Sequence, residues 1–417
     1  MTIPVDITVS LNFADSPSFG IPLTLDDPVN GILGTNVLAD NASLIVDLSS
    51  STTQISIKRG KDILTDNYNS GSALIRVLDP LGYFNPTNTS SPYYGYVKPL
   101  RKLRISATNT AGLTVYLFSG YTSEYRYTYP QGQETGYVTI AAYDAFKIFN
   151  LAAITTVTGS SIGQGTGTRI DKILDTISWP AGMRDIDAGN TTCQADPATS
   201  RVALSAIKVL ENTEQGAFYI SPEGTAIFQD RNFTIATAGG TPIIFAQDAS
   251  GLNYANLKFS FDDKLIYNQS TMTRVGGTAQ VASDSASIDT YFLHSMALSN
   301  LMMQTDADAL NAAKAWVASH KDTSIRIDSM TLDYNDPSYT AANINTILGL
   351  DYFQPVYITN TTPQGSTITK TLQVQGLSWD ITPNSMQCTV TTLEPSIEGF
   401  ILNSTLYGIL GTSVLSY

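Results

Sequence analysis

The chain has 417 residues, of which 42% are hydrophobic and only 14% charged, and its formal net charge of −13 gives a pI near 4.5. This hydrophobic content is enough to bury ordinary cores, and the abundance of Thr, Ser, Asn and Tyr indicates a mainly β protein. The net negative charge argues against a nucleic-acid-binding protein, because phosphate binding needs clustered Lys and Arg.

The N-terminus and the cysteines exclude further classes of protein. Residues 1–6 lack the basic and apolar regions of a signal peptide, and no run of about 18 apolar residues follows, so we expect neither signal-peptide secretion nor membrane insertion by the chain itself. Cys193 and Cys388 lie far apart and match no metal-binding spacing. We therefore expect two buried thiols, no metal site and no cofactor.

One short peptide occurs near both ends of the chain. Residues 31–38 read GILGTNVL and residues 408–415 read GILGTSVL, so only the sixth position differs. Such agreement without low-complexity bias indicates a duplication. The first copy falls among short apolar runs separated by Asp, Pro, Gly and Asn, which predicts an N-terminal arm over residues 1–52 that docks elsewhere. The second copy falls in a predicted C-terminal arm over residues 401–417.

The next segment, residues 53–155, has the pattern of a first antiparallel β-barrel. Alternation of apolar and polar residues predicts strands at 53–58, 72–78, 103–107, 114–126 and 137–142, with a turn at 59–62. Residues 79–94 are rich in Pro and Asn and cannot form a helix, yet they are too aromatic for a plain linker. We expect this loop to pack its aromatic side chains against the barrel.

Residues 156–250 are predicted to form a small α+β insert. A Gly-rich linker at 159–167 leads to a helix with Thr168 as its N-cap, and Trp179-Pro180 ends that helix. A second helix is expected at 201–215 with Gly216 as its stop, followed by a hairpin at 217–228.

Residues 251–400 are predicted to form a second β-barrel with one helix at 305–319, capped by Thr305. The order of elements echoes the first barrel: a hairpin with Gly, a long strand through Gly120 or Gly376, then a Thr-rich strand. The fold class is therefore mainly β, with two homologous antiparallel β domains, each a barrel or a sandwich, and a small α+β insert. Three such chains in a ring would present six similar units, which suits a sixfold partner. The remaining strands are expected at 257–261, 268–275, 325–332, 356–359, 369–381 and 387–393.

Several of these residues resemble the minor tail proteins of siphophages and related prophages, which are tail-tip or baseplate hub proteins. The similarity covers roughly residues 55–395, and its most specific part is the string GYFNPTNTSSPYY at 82–94. The other matching runs include Ile57-Lys58-Arg59-Gly60, Leu78-Asp79, Val97-Lys98-Pro99-Leu100, Phe118-Ser119-Gly120-Tyr121 and Tyr143-Asp144-Ala145-Phe146-Lys147.

The resemblance implies a structural, non-enzymatic protein of the virion tail tip, assembled in the host cytoplasm. It implies that the two β domains are tube-like antiparallel β-barrels. It also implies a homotrimer that adapts the sixfold tail tube or distal tail ring to threefold tip components and forms part of the DNA ejection channel. The implied partners are that ring, the tape measure protein and tip or fibre proteins, and phage DNA would pass through the channel without specific binding. The alternatives are a receptor- or glycan-binding tail adhesin and a tail-associated hydrolase.

Catalytic and phosphate-binding patterns are weak in this sequence. The nearest carboxylate pairs are Glu211/Glu214 at a predicted helix end and Asp262/Asp263 at a turn, and neither spacing indicates a cleft. The two histidines are not spaced as metal ligands or as partners of a catalytic nucleophile. The simplest interpretation of His320 is a cation at the C-terminal end of a helix. Glycines 163, 165 and 167 precede a helix but lack the Lys of a phosphate loop, so a linker is the simpler interpretation.

The predicted interface consists of the repeated peptide and a tyrosine cluster. Tyrosines suit half-wet contacts, but core packing or a sugar-binding platform would use the same residues, including the row Tyr121, Tyr125, Tyr127 and Tyr129. The two peptide copies could dock equivalently or be terminal strands of their own barrels. The candidate interface residues are Gly31, Ile32, Leu33, Val37, Leu38, Tyr93, Tyr94, Tyr96, Gly408, Ile409, Leu410, Val414 and Leu415.

Overall fold

The computed structural model describes residues 3–15, 17–19, 44–62, 67–129, 135–248, 250–323, 325–361 and 365–395. Both copies of the repeated peptide, and with them ten of the thirteen candidate interface residues, lie outside the described residues. The strands are β1 (Val5–Asn12), β2 (Ile45–Asp47), β3 (Thr52–Asp62), β4 (Asn67–Tyr68), β5 (Ser72–Leu78), β6 (Lys102–Asn109), β7 (Thr114–Thr128), β8 (Tyr137–Tyr143), β9 (Ala153–Ile154), β10 (Arg184–Ile186), β11 (Arg201–Val202), β12 (Ala217–Ile220), β13 (Ala226–Gln229), β14 (Ile243–Ala246), β15 (Ala255–Ser260), β16 (Gln269–Arg274), β17 (Gln280–Ser283), β18 (Ser295–Leu301), β19 (Arg326–Asp333), β20 (Pro355–Thr361), β21 (Thr367–Thr382) and β22 (Ser385–Leu393). The helices are α1 (Phe146–Leu151), α2 (Thr166–Thr176), α3 (Ala203–Glu214), α4 (Arg231–Ala238), α5 (Ser285–Tyr291), α6 (Asp306–His320) and α7 (Ala341–Leu348).

Most strands belong to one large sheet, which has 14 strands in the described part of the chain. Its main path is β15-β19-β22-β21-β3-β5-β8-β7-β6-β1-β2, with β4 beside β3, and with β20 between β21 and β14. We call β1 to β8 the first unit, and β14, β15 and β19 to β22 the second unit. Antiparallel pairing of β3 with β21 joins the two units edge to edge.

The first unit curls back on itself. β1 and β3 stand at opposite ends of the run β1-β6-β7-β8-β5-β3, yet the chain just before β3 bonds to β1. The Leu48 amide donates to the Val9 carbonyl at 2.8 Å, and the Val9 amide donates to Ser49 Oγ at 2.9 Å. Alternate residues of β5 and β8, such as Ile75 and Ile140, are fully buried inside this curl.

The second unit repeats the strand order of the first. β6-β7-β8-β5 is matched by β20-β21-β22-β19, and in each case the second strand is the longest, with 15 and 16 residues. Both long strands carry a bulge, between Thr122 and Glu124 in β7 and between Val374 and Gly376 in β21. The expected fold class, mainly β with two such units and an α+β insert, is confirmed.

The insert packs α2 and α3 against a three-stranded sheet in the order β10-β13-β12. Its core includes Ile170, Ile173, Ile207 and Phe218, which are almost completely buried. α3 ends at Gln215, which takes a left-handed conformation with φ of 56°, one residue before the glycine that the sequence indicated as the stop.

A third sheet, β17-β16-β18, forms a separate lobe with α6. From the sequence we assigned all of residues 251–400 to the second barrel. In the described structure, however, β16 to β18 pair only with one another, and α6 packs on the sheet that they form. The lobe instead contacts the insert, where the Met302 amide donates to Thr213 Oγ1 at 2.9 Å. Its helix begins as expected, because Thr305 and Asp308 form a reciprocal capping box.

Two local predictions differ from the structure for non-local reasons, and one helix was missed for a local reason. β1 is a strand of the first unit, with Val9 and Leu11 fully buried against β6, rather than part of a separate arm. Residues 59–62 continue β3 instead of turning, because Gly60 pairs with Gly376 of the second unit. Helix α7 was not expected, since its eight residues are too few to give a clear 3.6-residue period.

Candidate assembly surfaces

The Pro- and Asn-rich loop after β5 is a spiral of successive turns. Backbone hydrogen bonds between residues three positions apart link its carbonyl and amide groups at 3.0–3.2 Å. This period of three explains why small and polar residues recur along the loop, since each sits at a turn. The accepting and donating residues form one series: Asp79, Gly82, Asn85, Asn88, Ser91 and Tyr94.

Asp79 anchors the start of this spiral. Its buried carboxylate accepts hydrogen bonds from the amides of Tyr83 at 2.7 Å and Phe84 at 3.1 Å, and from the Tyr129 hydroxyl at 3.1 Å. Phe84 is held in the core by this arrangement. The Leu78-Asp79 dipeptide noted in the sequence therefore has a structural role in shaping the loop.

The three tyrosines predicted as interface residues separate into two groups. The Tyr93 ring packs inward, 5.3 Å from the ring of Phe84 and 5.8 Å from that of Phe13. Tyr94 and Tyr96 are about half exposed, at 51% and 49%. Tyr93 thus supports the loop, while Tyr94 and Tyr96 are available to a partner.

The tyrosines along β7 also divide between packing and exposure. Tyr121 is buried, and burial raises its pKa well above the usual range. Tyr125 is mostly buried, which raises its pKa to about 12, and its hydroxyl donates to the Lys98 carbonyl at 3.3 Å. Tyr129 is exposed and its ring stacks on that of Tyr127 at 6.3 Å. Of the interpretations offered for this row of tyrosines, core packing therefore applies to Tyr121 and Tyr125.

Residues 17–19 of the N-terminal segment are fastened to the first unit. The Tyr121 hydroxyl donates to the Pro17 carbonyl at 2.6 Å, Lys102 Nζ to the Ser18 carbonyl at 2.6 Å, and Arg104 Nη1 to the Phe19 carbonyl at 3.2 Å. Burial, and then the nearby Arg104 and Arg101, lower the pKa of Lys102 to about 8. These contacts fix the point from which the chain leads towards the first copy of the repeated peptide.

The outer face of β5 and β8 carries an apolar patch that the sequence analysis missed. Leu74, Leu78 and Tyr143 are exposed on this face although they lie in the middle of the large sheet. Arg76 covers the ring of Tyr137 between them at 3.7 Å. The signal was present in the sequence, because residues 72–78 carry apolar side chains on both faces of the predicted strand.

The junction between the two units and the insert contains a buried cation. The Arg59 guanidinium lies 3.4 Å from an Asp351 oxygen and 4.9 Å from the centre of the Tyr352 ring. Behind it, Asp144 accepts from the amides of Gly71 at 2.5 Å and Phe146 at 3.0 Å. Arg59 and Asp144 both belong to the runs that carry the sequence resemblance. Arg59 connects β3 to Asp351 and to the Ile220 carbonyl of the insert, whereas the hydrogen bonds of Asp144 stay close to β5 and the start of α1.

We expect stability to depend on the protonation of Asp144. Burial raises its pKa to about 6, outweighing the hydrogen bonds that favour the carboxylate. The buried group is therefore best accommodated when protonated, so its contribution to the free energy of unfolding is greatest below pH 4 and falls by about 3 kcal/mol as pH rises through 6. Urea unfolding at pH 4, 5, 6 and 7 of the wild type and of Asp144→Asn tests this. The free energy of unfolding of the wild type, taken relative to that of Asp144→Asn, should fall as pH rises. A difference that does not change with pH would contradict the expectation.

The first carboxylate pair considered for catalysis lies inside the insert. Glu214 accepts hydrogen bonds from Thr166 Oγ1 at 2.7 Å and from the Thr191 amide at 2.8 Å, and it has no exposed surface. Glu211 pairs with Lys208 Nζ at 2.7 Å and accepts from the Phe218 amide at 2.8 Å, while burial raises its pKa. Both carboxylates hold the fold and neither reaches a cleft.

The second pair and the histidines are also engaged in local structure. Asp262 pairs with Arg326 at 3.0 Å, and that hydrogen bond lowers its pKa to about 2, whereas Asp263 is exposed. The His294 ring contacts the Tyr291 carbonyl at 3.0 Å. His320 lies in the last turn of α6, which agrees with the helix-end interpretation.

The glycines before α2 are neither a linker nor a phosphate loop. The amides of Thr166, Gly167 and Thr168 donate to the carbonyls of Thr191 and Ala188 at 3.0–3.3 Å, so the helix start has no free donors for an anion. The helix therefore begins at Thr166, with Gly165 as its N-cap, rather than after Thr168.

Among the residues described here, no three His, Cys, Asp or Glu side chains are arranged to hold a metal ion. None of the helices in the described ranges is both long and apolar enough to span a membrane. Cys193 and Cys388 are free and buried, as expected, and burial raises the pKa of Cys193 to about 11.

Comparison with known proteins identifies solved structures that have a similar fold. No family model matches the chain, and no curated protein matches it. The 43 kDa tail protein of prophage MuSo2 from Shewanella oneidensis aligns over 85% of this chain and 96% of its own, with 12% identity and a TM-score of 0.53. A tail protein from Neisseria meningitidis MC58 aligns over 94% and 97%, with 10% identity and a TM-score of 0.54. The chain has the fold of these tail proteins, and the resemblance seen in the sequence is confirmed at the level of the fold.

Proposed function

We propose that this chain is a structural protein of a phage tail, and that it acts as a homotrimeric hub at the tail tip of a siphophage or related prophage. The observation that supports this role most directly is the repeated strand order of the two units, joined side by side by β3 and β21. Its fold, shared along most of its length with two tail proteins, agrees with such a role.

The symmetry argument follows from the two units. One chain supplies two similar units at neighbouring positions, so three chains related by a threefold axis supply six. Six similar units can match a sixfold tail tube or distal tail ring on one side, while the threefold arrangement is kept for tip and fibre proteins on the other. The tape measure protein would end within the same channel.

Exposed apolar groups of the first unit are our candidates for the contacts between chains. Leu74, Leu78 and Tyr143 form a patch on the outer face of β5 and β8, and Tyr94 and Tyr96 are exposed on a loop held by successive backbone hydrogen bonds. Apolar and aromatic groups of this kind form the centres of protein interfaces.

Mass measurement tests the assembly state. We expect the purified protein to have three times the mass of one 44.9 kDa chain in analytical ultracentrifugation. Labelled protein should appear at the tail tip in electron micrographs of particles. A stable monomer that is absent from virions would exclude the hub role.

The repeated peptide gives a further expectation. Two copies per chain make six per trimer, and six nearly identical peptides could dock on six equivalent sites of a neighbouring ring, while the alternative is that each is a terminal strand. Deletion of residues 404–417 should therefore weaken incorporation into tails. Circular dichroism should show that the two units remain folded, and unchanged incorporation of the deleted protein would remove the docking idea.

We expect DNA to pass through the hub without binding tightly to the protein. The net charge of −13 disfavours binding to phosphates, so we expect no strong DNA binding at about 0.15 M salt in a filter or fluorescence assay.

A glycan-binding adhesin is the alternative, because Tyr94, Tyr96 and Tyr129 are exposed. Specific glycan binding on an array would favour the adhesin over the hub.

A further inference from the structure

A cavity of about 350 Å³ lies where the insert meets the β16–β18 lobe. Its walls come from α2, α3, the loop at 196–201, the residue after the central strand β16 of the lobe and the end of β18. Apolar side chains form much of the lining, and Arg169, Asp196 and Arg201 are its ionised residues. The apolar lining consists of Ile173, Ala206, Val209, Leu210, Val275 and Met302.

Arg169 lines this cavity and is 1% exposed. Its Nε donates to Gln164 Oε1 at 3.1 Å, and its Nη2 donates to the carbonyls of Ser161 at 2.8 Å and Gln194 at 3.1 Å. Its Nη1 has no hydrogen-bond partner among the described residues, and the nearest carboxylate oxygen, from Asp196, is 3.9 Å away. A buried donor without an acceptor is unfavourable, so this nitrogen can bind an additional acceptor.

The charges around the cavity favour an anion. Asp196 is already engaged, because its Oδ1 accepts from Arg201 Nη2 and its Oδ2 accepts from the Ala198 amide at 3.2 Å. The ionised residues lining the cavity are therefore two arginines and one aspartate, a local charge of +1 in a chain of net −13. A guanidinium with free N–H groups is well suited to a carboxylate.

We propose that this cavity binds a carboxylate carried on an apolar group of about the size of a leucine side chain. The carboxylate would accept from Arg169 Nη1, and the apolar group would lie against Val209, Leu210 and Met302. Such a ligand could be a free organic acid or the terminal carboxylate of a polypeptide, and both share this chemistry. The proposal does not depend on the assembly role.

Titration of the full chain with N-acetyl-leucine and with N-acetyl-leucinamide tests the proposal, since the pair differs only in the charge of one group. Chemical-shift changes in NMR should saturate for the acid with a dissociation constant of about 1 mM, and the amide should bind about tenfold more weakly. 4-Methylpentanoate identifies the source: binding equal to that of N-acetyl-leucine means that a free acid suffices, and weaker binding means that the peptide group is read as well.

Variants locate the binding. Arg169→Gln should abolish the preference for the acid, but this residue also holds two backbone carbonyls, so its fold must be checked by circular dichroism. Ser205→Trp is a second variant, because Ser205 is exposed on α3 and a large ring there should block the cavity, whereas Ser205→Ala should bind normally. Asp196→Asn should bind the acid several-fold more tightly. Equal binding of acid and amide, absence of binding by either, or unchanged binding by Ser205→Trp would overturn the proposal.

Discussion

Replacement of Glu214 by alanine should destabilise the protein by about 4 kcal/mol, because the carboxylate satisfies several buried donors at once. Glu214 accepts from Thr166 Oγ1, from the Thr191 amide and, at 3.1 Å, from the Asn190 amide. Its removal would leave the Thr166 hydroxyl and the Thr191 amide buried without an acceptor, and would leave Arg231, 3.8 Å away, without this carboxylate. Water could satisfy only part of this loss, because Asn190 is exposed but Thr166 and Thr191 are buried.

Equilibrium urea unfolding followed by tryptophan fluorescence measures this loss. Glu223→Ala is the matched control, because Glu223 belongs to the same insert but its side chain is exposed, and surface substitutions usually change stability by less than about 0.5 kcal/mol. A change of about 1 kcal/mol or less in Glu214→Ala would show that the insert does not depend on this network. It would also reopen the question of why a carboxylate is buried there.

Local patterns were enough to locate most of the regular structure. The helix at Asp306–His320 was predicted from Thr305 and the acidic residues of its first turn, and the structure contains that capping box. The strand at Ser72–Leu78 was predicted with its observed bounds, because apolar residues alternate along it. Signals of this kind act over a few residues, so they can be recognised without knowing the rest of the fold.

Non-local pairings could not be predicted in this way. Gly60 looked like a turn residue because glycine is common in turns, but it lies in β3 where the backbone of the second unit approaches closely. β1 was predicted to be part of an arm, because the strand against which it packs, β6, comes about 95 residues later in the chain. The lobe at β16 to β18 interrupts the second unit, and only the pairing of its strands with each other reveals that interruption.

The candidate surfaces were predicted only in part for a similar reason. Tyr93, Tyr94 and Tyr96 are close in sequence and looked equivalent, yet the period of three in the loop turns Tyr93 towards Phe84 and leaves the other two exposed. The patch of Leu74, Leu78 and Tyr143 combines two strands, and the cavity beside Arg169 combines five segments. Such sites exist only after the chain has folded.

Substitution of Gly60 by valine should separate the two units and prevent trimer formation. A Cβ atom at this position would lie 2.8 Å from the Gly376 Cα atom, closer than real Cβ contacts, and the neighbouring atoms are backbone that cannot rotate away. The β3–β21 pairing that joins the units must then open locally, at a cost of about 3 kcal/mol. Urea unfolding and analytical ultracentrifugation measure the two effects.

Gly182→Val is the control for this substitution, because a Cβ atom at Gly182 meets no atom within 4 Å. We expect it to leave stability and mass nearly unchanged. If Gly60→Val loses stability but still assembles at three times the chain mass, the units are held by the surrounding ring rather than by their shared sheet. If it loses neither, close backbone pairing at Gly60 and Gly376 is not required for the side-by-side arrangement on which the symmetry argument depends. The expected loss of both would show that one continuous sheet sets the spacing of the two units, and hence the match between three chains and six positions.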